Sequence, residues 1–270
     1  MLRAERAGLT RNGQRILDAI DLSFMPGQLH AIFGPNGAGK SSLLRLLSAE
    51  WACSSGRVTL DDKPLSAWSS AALAQRRALL PQQHGLSFPF LAHEVVALGR
   101  LHARRGTVTR ERQIVDAALE ACGMTRLASR SYAELSGGER ARVQLARVLA
   151  QIWEPSDAPR YLLLDEPTAH LDLAFQHACL GLARRWAQAG VGVIAVLHDP
   201  NLVLAYADHV SVIADGHPIA GGAPRGVITP DLMQQLYGLQ AEALHDTRDA
   251  PWLAIRAAAS AECRHAQNHQ

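Results

Sequence analysis

The stretch GPNGAGKS, at Gly34–Ser41, constrains the fold of this chain more than any other feature of its sequence. It fits the pattern G-x-x-x-x-G-K-[ST], in which glycines let the backbone approach a phosphate and free N–H groups surround the phosphate oxygens. The apolar run QLHAIFG, at Gln28–Gly34, comes before it, and SLLRLLSAE, at Ser42–Glu50, follows with leucines at helical spacing. A strand, a phosphate loop and a helix are therefore predicted, and with them a nucleotide-binding site.

Two side chains of this loop are predicted to contact the phosphates and the metal directly. Lys40 would reach the β- and γ-phosphates, and the hydroxyl of Ser41 would ligate Mg²⁺. The dipole of the helix that starts here would add further attraction for the phosphates. The residues predicted to hold the nucleotide are Gly34, Pro35, Asn36, Gly37, Ala38, Gly39, Lys40, Ser41 and Ser42.

Two acidic residues and a histidine follow the next apolar runs. YLLLDE places Asp165 and Glu166 at the end of one predicted strand, and VGVIAVLHD places His198 at the end of another. The carboxyl ends of parallel strands meet at one edge of a sheet, where ligands bind. A buried Asp165 needs a partner such as Mg²⁺, Glu166 could hold an attacking water as general base, and His198 could orient that water. The alternatives are acids that only cap a turn and a structural histidine.

The order of these patterns predicts an α/β fold with a mostly parallel core sheet, because near-continuous apolar strands alternate with helical stretches. Short runs in the first sixty residues, such as RVTL, predict a small N-terminal antiparallel part. Helical patterns, EVVALGRLHARR and RERQIVDAALEACG, dominate residues 87–154, so a helical subdomain is expected between core segments 1–86 and 155–256. A helix capped by Thr229 is expected near the end. The tail, 257–270, is predicted to be disordered.

Composition excludes several classes of protein. Lys and Arg number 27 and Asp and Glu number 25, a net charge of +2, so no nucleic-acid partner is predicted. No apolar run reaches the roughly 18–20 residues that a membrane-spanning helix needs. The N-terminal MLRAERAGLTRNG lacks the apolar core of a signal peptide, so a cytoplasmic location is expected. The four cysteines show no CxxC pairing, which predicts reduced, inactive thiols.

A second glycine-rich stretch, LSGGE at Leu135–Glu139, opens another predicted helix. A serine and glycines at a helix N-terminus form an anion site, because free backbone N–H groups and the positive helix end point outward. The phosphate loop already accounts for the phosphates of one nucleotide. These residues alone therefore leave open what the second site binds.

Together these stretches resemble the ATP-binding subunit of ABC transporters. GPNGAGKS is similar to the Walker A loop of that family, YLLLDE to Walker B with its glutamate, and LSGGE to the signature. LLPQQ resembles the Q-loop, with Gln82 as its glutamine, His170–Asp172 resembles the D-loop, and LHD supplies the switch histidine, His198. The order and spacing match from about residue 2 to residue 240. The resemblance implies a P-loop NTPase fold, with ATP and Mg²⁺ as cofactors.

The resemblance also implies what LSGGE binds. In this family two copies pack head to tail, so Ser136, Gly137 and Gly138 would bind the γ-phosphate of the ATP held by Lys40 of the other copy. Asp172 would bridge the two copies.

The remaining roles implied by the resemblance concern hydrolysis. Glu166 would activate water with His198, and Gln82 would sense Mg²⁺ and the γ-phosphate. The implied metal ligands are Ser41, Gln82 and Asp165. The residues that flank the Q-loop would transmit the closing movement of the dimer to a membrane partner.

The first strand departs from the family pattern. Members usually place an aromatic residue there to stack on adenine, whereas LTRNGQ offers Arg11. A guanidinium plane can stack on a base, so Arg11 is included among the predicted nucleotide-binding residues. A solvated surface arginine remains the alternative.

Several segments resemble the importers of iron–siderophores, cobalamin and haem. These are SFPF at 87–90 followed by HEVVALGR, and ITPDLMQQLYGL near the end. The polar stretch in AQIWEPSDAPRYLLLDEP and the run RLHARRGT are similar to the haemin importers. They imply import of haemin across the inner membrane by a homodimer on two permease subunits, served by a periplasmic haem-binding protein. The alternative explanation of the polar stretch is a surface loop whose sequence varies without functional consequence.

Two other functions stay open from the sequence. One is the ATPase of a ferric-siderophore or cobalamin importer, because the ATPase need not touch the cargo. The other is a soluble ATPase of the same superfamily, such as one for iron–sulfur cluster assembly. The tail residues Cys263, His265 and His269 suggest haem or metal binding, but an inactive tail is favoured because nothing fixes a ligand geometry.

Overall fold

The computed structural model describes residues 1–82, 89–102, 106–169, 171–245 and 251–256. Some expectations lie outside these residues. They concern part of the SFPF segment, part of RLHARRGT, His170, and the tail with Cys263, His265 and His269.

The described part of the chain alternates strands and helices. The strands are β1 (Leu2–Arg11), β2 (Gln14–Phe24), β3 (Leu29–Phe33), β4 (Ser55–Leu60), β5 (Lys63–Pro64), β6 (Arg77–Leu80), β7 (Tyr161–Leu164), β8 (Gly192–Val196), β9 (His209–Ala214), β10 (His217–Gly222), β11 (Gln240–His245) and β12 (Pro251–Arg256). The helices are α1 (Lys40–Leu47), α2 (Ser70–Arg76), α3 (Ala92–Leu98), α4 (Val108–Ala121), α5 (Gly137–Gln151), α6 (Leu173–Gln188), α7 (Pro200–Tyr206), α8 (Pro224–Val227) and α9 (Pro230–Tyr237).

The strands form three sheets. A six-stranded sheet has the order β10-β9-β3-β8-β7-β6, in which all neighbours are parallel except β10 and β9. An antiparallel sheet near the N-terminus has the order β2-β1-β4-β5, and β11 pairs with β12. The mostly parallel core sheet and the small N-terminal antiparallel part are thus confirmed.

Alternation along the central strands divides the core into two layers. Leu29, Ala31 and Phe33 of β3 face one hydrophobic cluster, which includes residues of α3, α4, α5 and α6. Ile32 faces the other, which lies against α1 and the antiparallel sheet. Strands buried on both faces are nearly continuous apolar runs, which is why the sequence signalled them clearly.

The ends of the helices reflect both local hydrogen bonds and contacts with other helices. The Thr229 side chain accepts a hydrogen bond from the N–H of Leu232, which confirms the predicted cap of α9. Helix α3 ends at Leu98, whereas the pattern EVVALGRLHARR predicted a longer helix. A Cβ at Gly99 would lie 2.2 Å from the carbonyl oxygen of Arg147 on α5. The early end of α3 thus lies at the point where α5 packs closely against the chain.

The polar stretch between α5 and β7 is tied to its surroundings. Arg100 is almost fully buried, and its guanidinium donates to the carboxylates of Glu111 and Glu154 and to the carbonyl of Ala150. Arg160 donates to the carbonyls of Ile152 and Glu154. We call Trp153–Arg160 the strap, because Glu154 within it is bound to Arg100, just after α3, and to Arg110 on α4.

Candidate functional site

The phosphate loop joins β3 to α1 as predicted, and it packs directly against β2. The backbone of Gly39 has a φ of 94°, and a Cβ at this position would lie 2.7 Å from Cδ2 of Leu17 and 3.0 Å from the carbonyl oxygen of Ile16. Only glycine fits this backbone conformation in this space. The tight fit holds the loop beside the β1–β2 hairpin.

Lys40 lies inside the loop with 5% of its surface exposed. Its Nζ donates to the carbonyl oxygens of Gly34 and Pro35, both at 2.7 Å. Burial lowers the pKa of Lys40, while the carboxylates of Glu166 and Asp165 act in the opposite direction. The ammonium is therefore held at the mouth of the loop, where an anion can replace the carbonyl oxygens as its partner.

The loop borders a cavity of about 390 Å³. Its lining consists of Ile16, Asn36, Gly37, Ala38, Gly39, Lys40, Ser41, Ser42, Gln82 and Glu166. The structure thus brings most of the predicted phosphate-binding residues together with two of the predicted catalytic side chains. Ile16 is a lining residue that the sequence prediction missed, since an isoleucine in an amphipathic strand gives no sign of a binding role.

Two oxygen donors predicted to hold Mg²⁺ lie next to each other. The hydroxyl of Ser41 donates to Oδ1 of Asp165 at 2.9 Å. Asp165 is 4% exposed, and burial raises the pKa of its carboxyl group, opposed by the hydrogen bond from Ser41. Hard divalent cations prefer a small set of such oxygen ligands, so this pair fits Mg²⁺.

Glu166 stands beside Asp165 and is held at both carboxylate oxygens. Gln82 donates from Nε2 to Oε2 of Glu166 at 2.8 Å, and Nε2 of His198 lies 2.9 Å from Oε1. Glu166 and His198, predicted from the ends of their strands, and Gln82, predicted from the resemblance to the Q-loop, are far apart in the chain and meet at this carboxylate. A carboxylate in such a position can accept a proton from water.

The second glycine-rich stretch is the start of α5. The hydroxyl of Ser136 accepts from the N–H of Glu139, and the Glu139 carboxylate accepts from the N–H of Ser136 at 2.7 Å. A Cβ at Gly137 would meet no atom within 4 Å. Ser136, Gly137 and Gly138 are absent from the lining of the phosphate-loop cavity, although Gly137 lines a neighbouring cavity with Glu166. The N-terminus of α5 is therefore exposed and does not line the phosphate-loop cavity of the same chain.

Two further predicted site residues have local partners. Asp172 caps α6, because its carboxylate accepts from the N–H of Phe175 at 2.8 Å. Arg11 lies at the end of β1, with its Cζ 3.9 Å from the centroid of the Trp51 ring. The sequence prediction missed Trp51, because only the folded chain brings it to Arg11.

Comparison with known proteins decides the family. The family model described as ABC transporter matches residues 17–169. The chain is 48% identical over 240 residues to the hemin import ATP-binding protein HmuV of Pseudomonas fluorescens, a match that covers 89% of this chain and 93% of that protein. The chain belongs to the ABC transporter family. ATP binding, and ATP hydrolysis coupled to transport, are the activities of such an ABC ATPase.

Solved structures agree with this assignment. The ABC ATPase fold described above is similar to a protein described as a metal-chelate type ABC transporter in an inward-facing conformation, with a TM-score of 0.77 and 25% identity, covering 94% of this chain and 96% of that one. It is also similar to the ATP-binding cassette MJ0796, a dimer bound to ADP and Pi, with a TM-score of 0.73 and 25% identity, covering 84% of this chain and 100% of that one. The P-loop NTPase fold is thus confirmed.

Helix lengths add one observation about the membrane. Within the described ranges, none of the helices of this ABC ATPase is long and apolar enough to span a bilayer.

Proposed function

We propose that this ABC ATPase powers the import of haemin, as a homodimer docked on two permease subunits at the cytoplasmic face of the inner membrane. The observation that carries the proposal is the match to a hemin import ATP-binding protein along nearly the whole of both chains. The strap supports it, because this polar stretch resembles the haemin importers. Ion pairs of Glu154 with Arg100 and Arg110 hold the strap in place. A periplasmic haem-binding protein would deliver the cargo to the permease.

The site would bind MgATP through the phosphate loop. The N–H groups of the loop and the ammonium of Lys40 would surround the phosphates, and the ammonium would exchange its two carbonyl partners for phosphate oxygens. Ser41 and Asp165, with the amide oxygen of Gln82, would hold Mg²⁺. When bound, the metal would neutralise charge on the β- and γ-phosphate oxygens.

Glu166 would act as the general base. Its carboxylate would take a proton from the attacking water, and His198 would orient that water and the γ-phosphate. In the structure Gln82 and His198 occupy both oxygens of Glu166. Gln82 belongs to the Q-loop, so a movement of this loop would remove a hydrogen bond from the base and change how the base holds the attacking water.

The second half of each ATP site would come from another copy of the chain. The open N-terminus of α5, with Ser136, Gly137 and Gly138, would bind the γ-phosphate held by the loop of its partner copy. Asp172 would lie at the contact between the two copies.

A groove between α3 and α4 is the proposed docking site for the permease. It has a volume of about 670 Å³ and apolar walls that include Ala97, Leu101 and Val115. Leu101 is 56% exposed at this groove, so together with the other apolar walls it offers apolar surface that a partner could bury. Charged residues at the rim, Arg112 and Asp116 among them, would fix the orientation of the partner.

Reconstitution tests the cargo and the partner together. The ATPase would be purified with its permease, inserted in proteoliposomes with the binding protein, and assayed with haemin, a ferric siderophore or cobalamin. We expect haemin to raise ATP turnover and the other two cargoes to leave it unchanged. Stimulation by a siderophore or cobalamin alone would assign the chain to another importer. Failure to associate with any co-expressed permease would instead indicate a soluble ATPase.

A further inference from the structure

Two guanidinium groups share one indole ring, that of Trp51, which follows the C-terminus of α1. The Cζ of Arg11 lies 3.9 Å from the centroid of Trp51, and the Cζ of Arg45 on α1 lies 4.6 Å from it. Within the described ranges neither guanidinium forms an ion pair or hydrogen bond with a carboxylate. Arg11 is exposed, while Trp51 is half-buried. The guanidinium of Arg11 therefore lies over the indole ring, and the Arg11 side chain remains accessible to solvent.

The lining of the phosphate-loop cavity indicates the point at which the nucleoside part of a bound nucleotide would extend out of the cavity. Gln82 and Glu166 mark the end at which the terminal phosphate reacts. The loop and the start of α1 form the wall around the phosphates. Ile16 is the lining residue that belongs to neither group. The nucleoside end of the nucleotide therefore passes Ile16.

The β1–β2 hairpin carries Ile16 and Arg11 to the same side of the loop. A Cβ at Gly39 would lie 3.0 Å from the carbonyl oxygen of Ile16, so the hairpin is in contact with the loop. Arg11 pairs with Gln14, and Gln14 is two residues from Ile16 on β2. The tip of the hairpin thus lies just beyond the point at which the nucleoside leaves the cavity.

We propose that Trp51 is a positioning residue for nucleotide binding: it holds the guanidinium of Arg11 as a flat platform on which the base stacks. This inference rests on the nucleotide binding of the proposed function. A guanidinium is planar and delocalised, so one side can lie on an indole while the other lies on a base. The indole fixes the plane before the nucleotide arrives, which reduces the entropy lost on binding.

Paired measurements with two probes test this stacking. The dissociation constants of ATP and of inorganic tripolyphosphate, which has no base, would be measured for the full chain and its variants. Arg11→Lys keeps the charge but loses the plane, and Trp51→Leu removes the ring. We expect both to weaken ATP binding about fivefold to tenfold, because stacking of a base contributes about 1 kcal/mol or more. Tripolyphosphate binding should stay within about twofold of wild type, and the KM for ATP should rise while kcat does not.

Two control variants separate positioning from general damage. Trp51→Phe restores an aromatic ring and should recover most of the ATP affinity. Trp68 is another half-buried tryptophan with two cationic neighbours, Lys63 and Arg76, and Trp68→Leu should leave ATP affinity unchanged.

The outcomes distinguish this proposal from the proposed function. Unchanged ATP affinity in Arg11→Lys and Trp51→Leu would overturn the proposal, and so would equal losses for ATP and tripolyphosphate. If Trp51→Leu does not fold, Arg11→Lys decides by itself, because its side chain is exposed. A wild-type chain that binds neither probe would contradict the nucleotide site itself, which is a different result.

Discussion

At the scale of single residues, the backbone of Glu166 stands out. Its φ is 51°, a left-handed conformation that costs a residue other than glycine about 1–2 kcal/mol. Such a cost persists only where the surroundings fix the residue. Here the carboxylate is bound by Gln82 and lies 2.9 Å from Nε2 of His198, while Asp165 beside it is buried against Ser41. The strained turn therefore aims the carboxylate into the phosphate-loop cavity.

Replacing Glu166 by glutamine tests its role as base. Glu166→Gln keeps the shape of the side chain but cannot accept the proton, so kcat should fall by about 10² or more while ATP binding is retained. ATP turnover and ATP affinity would be measured in parallel. Glu120→Gln, at an exposed site on α4, is the matched control and should behave as wild type. Turnover of Glu166→Gln close to that of wild type would show that another group takes the proton.

The buried side chain of His30 should make the free energy of unfolding depend on pH. It is buried, with Nε2 2.9 Å from Oγ of Ser211 and 3.3 Å from Nδ1 of His209. Burial, and then the neighbouring His209, lower the pKa of His30 to about 3. The unfolded chain, with a histidine pKa of about 6.5, therefore binds the proton more readily than the folded chain. The contribution of neutral His30 to stability is complete above pH 6.5 and is lost as the pH falls toward 3.

The corresponding experiment compares the wild type with His30→Gln. Between pH 6.5 and 4.5 the free energy of unfolding of the wild type should fall by on the order of 2–3 kcal/mol more than that of the variant. Denaturant titrations at several pH values measure both. Parallel pH curves for the two proteins would mean that His30 is not the group responsible.

At the scale of elements, the sequence predicted what local patterns control. The phosphate loop between β3 and α1, the acidic residues after β7, and the cap of α9 follow from short motifs and apolar runs. Contacts between distant segments could not be predicted. The ring of Trp51 meets Arg11 through tertiary packing, and Arg100 meets Glu154 although 54 residues separate them. The early end of α3 likewise lies where α5 packs closely against Gly99, a contact between segments that are distant in the chain.

The strap gives a prediction at this scale. Arg100→Met would leave the carbonyl of Ala150 and the carboxylates of Glu111 and Glu154 without their donor, which should cost about 2–3 kcal/mol of unfolding free energy. Arg112→Gln is the matched control: Arg112 pairs with Asp116 at 4.0 Å with both side chains exposed, so its loss should cost less than about 0.5 kcal/mol. Chemical denaturation compares the two. Equal stabilities would mean that the strap is not fastened by Arg100.

At the scale of the whole molecule, we propose that the phosphate loop and the N-terminus of α5 take part in one mechanism. Within the described chain, the residues of LSGGE are absent from the lining of the phosphate-loop cavity, and the helix end that carries them is open. The similar ATP-binding cassette MJ0796 is a dimer with ADP and Pi bound. Both observations support a site that is completed by a second copy. The proposed import of haemin depends on this arrangement, because closing of the dimer around ATP would drive the permease.

Mixing two inactive variants distinguishes an ATP site shared between two copies from two separate sites. Ser136→Arg blocks the signature and Lys40→Ala disables the phosphate loop, so each homodimer should hydrolyse almost no ATP. In a mixed dimer, one site combines the intact loop of the first chain with the intact signature of the second. A mixture in equal amounts should therefore recover about a quarter of the wild-type ATP turnover, since half of the dimers are mixed and each has one intact site.

A chain that carries both substitutions serves as the control, because its mixture with Lys40→Ala forms no intact site and should stay inactive. Recovery of ATP turnover in the first mixture, and none in the control, is the result predicted for sites shared between two copies. No recovery in the first mixture, under conditions in which the chains exchange partners, would contradict the shared site.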